Sequence, residues 1–297
     1  MRGRGPGLRS DCVNRITSIL PQSVRRVRVQ DFHGRVPFQH EAFPAVLLWS
    51  EKSACTVAAK WFFYHIGQLE EALSRSRWIH DYEHEVFKAD PAYARNCAQA
   101  IRNGKRVLKF VRNPYLRAFS GFLETCNQRT LQYDEHWSTR TRRMILMDLM
   151  GADSEIEYAY SFHQFVSWLG RQPKNGLDPH LAPQYQSFES RIEVESVKLE
   201  DHSNAFLYKE KELGLRNTAR AARIHSSGHH HNTTPTDAAV ANSVLNVGLP
   251  VQRRLEFSLF QPTAAAIADS PSGKIIRRVF ADDFSAYGYG AEGASTQ

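Results

Sequence analysis

Twice in this chain a short, mainly apolar run gives way to a small polar turn and then to helical periodicity. The first run is Ala45-Val46-Leu47-Leu48-Trp49, followed by Ser50-Glu51-Lys52-Ser53 and by Val57, Ala58, Trp61, Phe62 and Ile66 at helical spacing. The second is Val107-Leu108-Lys109-Phe110-Val111, followed by Arg112-Asn113-Pro114 and by Leu116, Phe119, Phe122 and Leu123 on one helical face. Continuous apolar strands imply burial on both faces, and strand–turn–helix units imply a parallel sheet covered by helices. The expected fold class is therefore α/β, with a central, mainly parallel sheet flanked by helices.

Other segments fit around this frame. Residues 140–150 and 161–169 read as helices, Ile192 to Leu199 alternates as a further strand, and Lys274 to Phe280 reads as a last helix. Residues 1–40 read as a basic N-terminal extension in which Arg25 to Val29 forms a short edge strand or an arm. Residues 41–297 read as one domain with a loop-rich excursion at about 214–250. Trp61, Phe62 and Phe63 are expected in the core, and Arg140, Arg142 and Arg143 on a solvated helix face.

The charge balance narrows the partners only slightly. With 38 Lys+Arg against 31 Asp+Glu the chain suits an anionic partner: nucleotide, acidic glycan, nucleic acid or anionic lipid. The four cysteines, Cys12, Cys55, Cys97 and Cys126, have neither CxxC nor zinc-ligand spacing, which favours free thiols. No stretch approaches the roughly 18 apolar residues of a membrane span, and no apolar segment follows the basic N-terminus. The expectation is a cytoplasmic protein without an integral membrane segment.

Two turns carry candidate chemistry. Lys52-Ser53-Ala54-Cys55-Thr56 joins a strand to a helix, so its backbone amides and the helix N-terminus can surround an anion; Lys52 supplies a full charge, and Thr56 is placed to cap the helix. This is not a Walker A sequence. Arg112-Asn113-Pro114-Tyr115-Leu116-Arg117-Ala118-Phe119-Ser120 places a planar cation at the end of the second strand and a serine two helical turns later. Both turns fall at strand carboxyl ends, where open α/β sheets bind ligands.

Together the turns resemble those of the 3′-phosphoadenosine 5′-phosphosulfate (PAPS)-dependent sulfotransferases, in particular the carbohydrate sulfotransferase family 2 type of the chondroitin, dermatan and HNK-1 enzymes. Asp178-Pro179-His180-Leu181-Ala182-Pro183-Gln184 resembles the family's His-Trp-x-Pro-Gln segment, with Leu181 in place of tryptophan. Val197-Lys198-Leu199-Glu200-Asp201 and Asp283-Phe284-Ser285-Ala286-Tyr287-Gly288-Tyr289 resemble two further family stretches. The resemblance runs in order from about residue 44 to 289. The family's membrane anchor is missing, which points to a bacterial-type soluble member.

The resemblance implies a P-loop-like sulfotransferase fold and transfer of a sulfuryl group from PAPS to a carbohydrate hydroxyl. It implies that Lys52, Ser53, Ala54, Cys55 and Thr56 hold the 5′-phosphosulfate, and that Arg112 and Ser120, with Arg117 in support, hold the 3′-phosphate. Lys52 is then the electrophilic partner of the leaving oxygen. His180 or His80 is the general base, with His84 and Glu200 as further candidates. No metal is expected, because sulfate carries less charge than a terminal phosphate. The cluster His229-His230-His231 lacks the i, i+4 arrangement of a helical metal site. The rival readings are a P-loop-type kinase and a basic nucleic-acid-binding protein; the sulfotransferase reading expects a glycan partner and no nucleic acid.

Overall fold

The computed structural model describes residues 27–151, 155–202, 204–225, 245–248 and 262–290, together with 243 and 251. The Arg25-Arg26 start of the expected edge strand and the His229 to His231 cluster lie outside the described residues.

Both expected strand–turn–helix units are present. Strand β1 (Ala45–Leu48) leads into helix α1 (Cys55–His65); helix α2 (Tyr93–Arg102) returns the chain to strand β2 (Arg106–Val111), which leads into helix α3 (Pro114–Thr125). Helices α4 (Trp137–Met150) and α5 (Phe162–Leu169) follow, then strand β3 (Glu195–Lys198), α6 (Ala205–Leu213), α7 (Pro271–Val279) and α8 (Ala281–Ala286). The sheet is small and wholly parallel, in the order β1-β2-β3, with Val46 opposite Val107 and Phe110 opposite Val197. Among the described residues the protein is thus α/β, a three-stranded parallel sheet flanked by helices.

Side-chain alternation along the strands divides the core. Leu47, Leu108, Phe110 and Val197 face a cluster that contains Trp61, Phe62, Phe63 and Phe206. Val46, Leu48 and Val107 face the other way, onto Cys97, Ala98, Ile101 and Phe188. Aromatic packing is dense on the first face, where Trp61 meets Phe43, Phe110 and Phe206 edge-on and donates to Glu210 Oε1 at 2.7 Å. A separate apolar cluster joins α3, α4, α5 and α7 through residues such as Phe122, Phe162, Phe165 and Ile276.

Three particulars differ from the sequence reading. The described part of the N-terminal extension, residues 27–40, packs into the domain: Val27, Phe32 and Phe38 are fully buried, and Phe38 exchanges two backbone hydrogen bonds with Leu47. Val29–Phe32 is a short 3-10 turn and not a strand. Arg142 faces inward, donating to the carbonyls of Thr125, Ile156 and Tyr158, because α4 packs that side against a chain segment with open carbonyls; Arg140 and Arg143 face solvent as expected. Cys55, Cys97 and Cys126 are free thiols, and among the described residues no helix is long and apolar enough to cross a membrane.

Candidate functional site

The turn after β1 has an unusual backbone. Lys52 (φ 62°) and Ala54 (φ 58°) both occupy the left-handed region, which costs a non-glycine residue about 1–3 kcal/mol. Ala54 is the N-cap of α1 and offers no capping side chain. Thr56, expected to cap, instead lies inside the first helical turn, with its Oγ1 3.4 Å from His80 Nε2. Among the described residues no hydrogen bond takes up the amides of Ala54, Cys55, Thr56 or Val57. A strained turn with open amides at a helix N-terminus has the backbone geometry of a nest, suited to an anion.

Lys52 belongs to the same turn and sends its side chain to α3 and α4. Its Nζ lies 3.1 Å from Glu124 Oε2 of α3 and 5.6 Å from the centroid of the Trp137 ring. Its carbonyl accepts a hydrogen bond from Arg112 Nη1 at 3.2 Å, so the two expected turns touch directly.

The second turn is built as its sequence indicates. Asn113 caps α3 by accepting from Tyr115 N, and Pro114 occupies the first helical position, where its missing N–H costs nothing. Arg112 projects from the end of β2, and Ser120 stands half-buried two turns into α3. Glu200 belongs here and not beside Lys52: it accepts from Asn113 N at 2.8 Å and from the Tyr289 hydroxyl at 3.1 Å. Glu200 therefore holds the Arg112 turn.

Arg117 has a different place from the one expected. It is buried, donates through Nε to Glu51 O at 2.9 Å and through Nη1 to Ala182 O at 2.7 Å, and burial pushes its pKa down to about 10. Its fork is aimed at carbonyls, so it clamps the first turn to the 178–184 segment. Arg35 does the same from the other side, pairing with Glu51 at 2.8 Å and donating to the carbonyls of Pro179 and Pro183.

That clamped segment presents His180. Its Nδ1 lies 2.8 Å from Asp178 Oδ1, and its ring stacks on Trp137 at 4.3 Å and 6°. Lys52 and His180 thus share the Trp137 ring. His136 completes the group: burial pushes its pKa down, Glu124 and Asp178 pull it up, and His180 and Lys52 push it down.

His80 lies behind the nest, buried between Thr56 and the Glu83 carboxylate, whose Oε2 is 2.6 Å from His80 Nδ1. Burial opposes a charge on His80, but hydrogen bonds and charge from Cys55 and Glu83 outweigh it and raise the pKa to about 10. The raised pKa favours the imidazolium, which places a positive charge next to Thr56 of the first turn. Ligand atoms of His80, Glu83 and His84 lie within 4.8 Å of one another, but the Lys88 ammonium sits 2.6 Å from Glu83 Oε1 and opposes a dication.

The raised His80 pKa has a stability consequence with a definite sign. A group whose folded pKa exceeds its unfolded value of about 6.5 stabilises the fold fully below that value and loses the contribution as pH rises towards the folded pKa. The melting temperature is therefore expected to fall between pH 6.5 and about 10, and His80→Phe to flatten that slope. An unchanged slope in the variant would refute the assignment of charge.

Sequence reasoning missed Glu124, Trp137, Arg35 and Glu51. Glu124 and Trp137 lie on helices whose periodicity reports the core and not the turn they face. Gln184 and Asp283 lay inside noted stretches, but nothing in their spacing shows that Gln184 N and Tyr185 N both donate to Asp283. No family model matches the chain, and no curated protein or solved structure matches it significantly.

Proposed function

We propose that the protein is a sulfotransferase that moves a sulfuryl group from PAPS to a carbohydrate hydroxyl, on a P-loop-like sulfotransferase fold. The observation that carries this reading is the junction of two anion-seeking turns. A strained, uncapped nest that includes Lys52 is hydrogen-bonded at 3.2 Å to an arginine at the end of the adjacent parallel strand. Two anion sites that close together suit one nucleotide bearing phosphate groups at both ends of its ribose.

In the proposed reaction the nest amides and Lys52 hold the phosphosulfate, and His80 adds charge next to Thr56. The acceptor oxygen attacks sulfur in line, the bond from sulfur to the bridging oxygen breaks, and its electron pair stays on the 5′-phosphate, stabilised by Lys52. His180, oriented by Asp178 as bases commonly are by a carboxylate, takes the acceptor proton. The kinase rival shares the first turn but gives no reason for Arg112 to meet it, and the nucleic-acid rival gives no reason for a strained nest.

The test is a binding comparison. Arg112→Ala and Ser120→Ala are expected to weaken adenosine 3′,5′-bisphosphate by about 10- to 100-fold each, as for loss of a charge-assisted hydrogen bond, while changing adenosine 5′-phosphate by less than about threefold. Equal losses for both nucleotides would sink the 3′-phosphate role. A preference for magnesium–ATP over the bisphosphate would favour the kinase.

A further inference from the structure

Ser53 is one of the five turn residues expected to hold the 5′-phosphosulfate, and the geometry gives its hydroxyl a separate task. Ser53 Oγ donates to Gln184 Oε1 at 2.5 Å, and Ser53 N donates to Ser50 O at 3.3 Å. The same Gln184 oxygen accepts from Arg112 N at 2.9 Å, while Gln184 Nε2 donates to Arg112 O at 2.8 Å and to Asp283 Oδ2 at 3.4 Å. One fully buried carboxamide therefore holds the first turn by a side chain and the second by both of its backbone groups.

The carboxamide is itself fixed from behind. Gln184 N donates to Asp283 Oδ2 at 3.0 Å, and Gln184 O accepts from the buried Lys109 ammonium at 2.6 Å. Every donor and acceptor of the side chain has a partner, which settles its orientation: the oxygen must face Ser53 and Arg112 N, and the nitrogen must face Arg112 O and Asp283. A glutamate here would lose the donor to Arg112 O and set a second carboxylate against Asp283.

We infer that Gln184 is a positioning residue that fixes the spacing between the two anion turns, so that both ends of one bisphosphate nucleotide are met at the same time. Ser53 is a strut to Gln184 and not a ligand. The inference rests on the proposed function and adds to it the origin of selectivity for a doubly phosphorylated ribose. When two sites are held at the right separation, binding at the first makes the second intramolecular, and that gain depends on the rigidity of the link.

Calorimetric titration of adenosine 3′,5′-bisphosphate, adenosine 5′-phosphate and adenosine 3′-phosphate into the full chain tests it, using wild type, Gln184→Met and Ser53→Ala. Loosening the link is expected to weaken the bisphosphate by about 10- to 100-fold in Gln184→Met, and less in Ser53→Ala, which keeps the Arg112 arm. Each monophosphate should stay within about threefold of wild type in both variants. Ser53→Ala keeps the comparison decisive if Gln184→Met fails to fold, since it removes one hydroxyl and leaves the buried amide in place.

Three results would overturn the inference. The bisphosphate is not weakened in Ser53→Ala or Gln184→Met; all three nucleotides fall together in them, which would make Gln184 a support for each turn separately; or Ser53→Ala weakens adenosine 5′-phosphate as much as the bisphosphate, which would return Ser53 to the ligands. Failure of the wild type to bind any of the three is a different result: it removes the sulfotransferase reading and the coupling with it.

Discussion

Lys52→Ala is expected to reduce sulfuryl transfer by about 10²–10³-fold, the scale of removing one preorganised charge from a developing oxyanion, with the fold intact. Release of adenosine 3′,5′-bisphosphate from PAPS, in the presence of a panel of unsulfated polysaccharides, measures it. The fold should survive because alanine occupies the left-handed region no worse than lysine does, and Glu124 keeps Asn127 Nδ2 as a donor at 3.0 Å when its largely buried pair with Lys52 is lost. Lys52→Arg separates charge from shape: a planar guanidinium restores the charge but not the compact ammonium, so only partial recovery is expected. Turnover within about threefold of wild type in Lys52→Ala would remove this lysine from the chemistry, whatever the nucleotide affinity.

Much of the scaffold of this site was legible before any coordinates. The apolar runs at 45–49 and 107–111 could hardly be anything but buried strands, and the polar turns after them had to sit at strand ends. The alternation from Ile192 to Leu199 also told true, although pairing confined the strand to Glu195–Lys198. What sequence could not tell was direction within the turns. Thr56 and Arg117 are of the right types for a cap and a phosphate ligand, yet Ala54 stands at the N-cap position with a left-handed backbone and no capping side chain, and Arg117 turns to carbonyls brought from residues 51 and 182.

The same limit explains the histidines. His80 and His180 were equivalent as letters, and environment separates them. Hydrogen bonds and charge from Cys55 and Glu83 raise the His80 pKa to about 10 against the effect of burial, whereas His180 stands a third exposed on Trp137 beside Asp178. Such differences arise from residues distant in sequence, and neither periodicity nor spacing records them. Lys109 is the sharpest instance. In the run Val107-Leu108-Lys109-Phe110-Val111 a lysine reads as an interruption, but the structure gives it a fully buried site with three partners.

Lys109→Met is therefore expected to be the most damaging substitution for stability, lowering the free energy of unfolding by about 3–5 kcal/mol in urea titrations. The ammonium lies 2.6 Å from Glu189 Oε1, 2.6 Å from Gln184 O and 2.8 Å from the Tyr287 hydroxyl. Methionine fills nearly the same volume, so the cost is electrical: Glu189 is left as a buried carboxylate with only Gln186 N and the Tyr287 hydroxyl as donors. That reasoning makes a second, sharper expectation. Removing the stranded charge as well, in Lys109→Met with Glu189→Gln, should recover at least about half of the loss, because a buried pair replaced on both sides is often nearly neutral. If the single variant loses less than about 1 kcal/mol, water or another cation must reach Glu189 and the buried pair is not what holds β2 to the 184–189 segment. If the double variant is no better than the single, the loss comes from the missing donor to Gln184 O. The damage would then be read at the two anion turns, as weaker binding of adenosine 3′,5′-bisphosphate, because Gln184 is the residue that joins them.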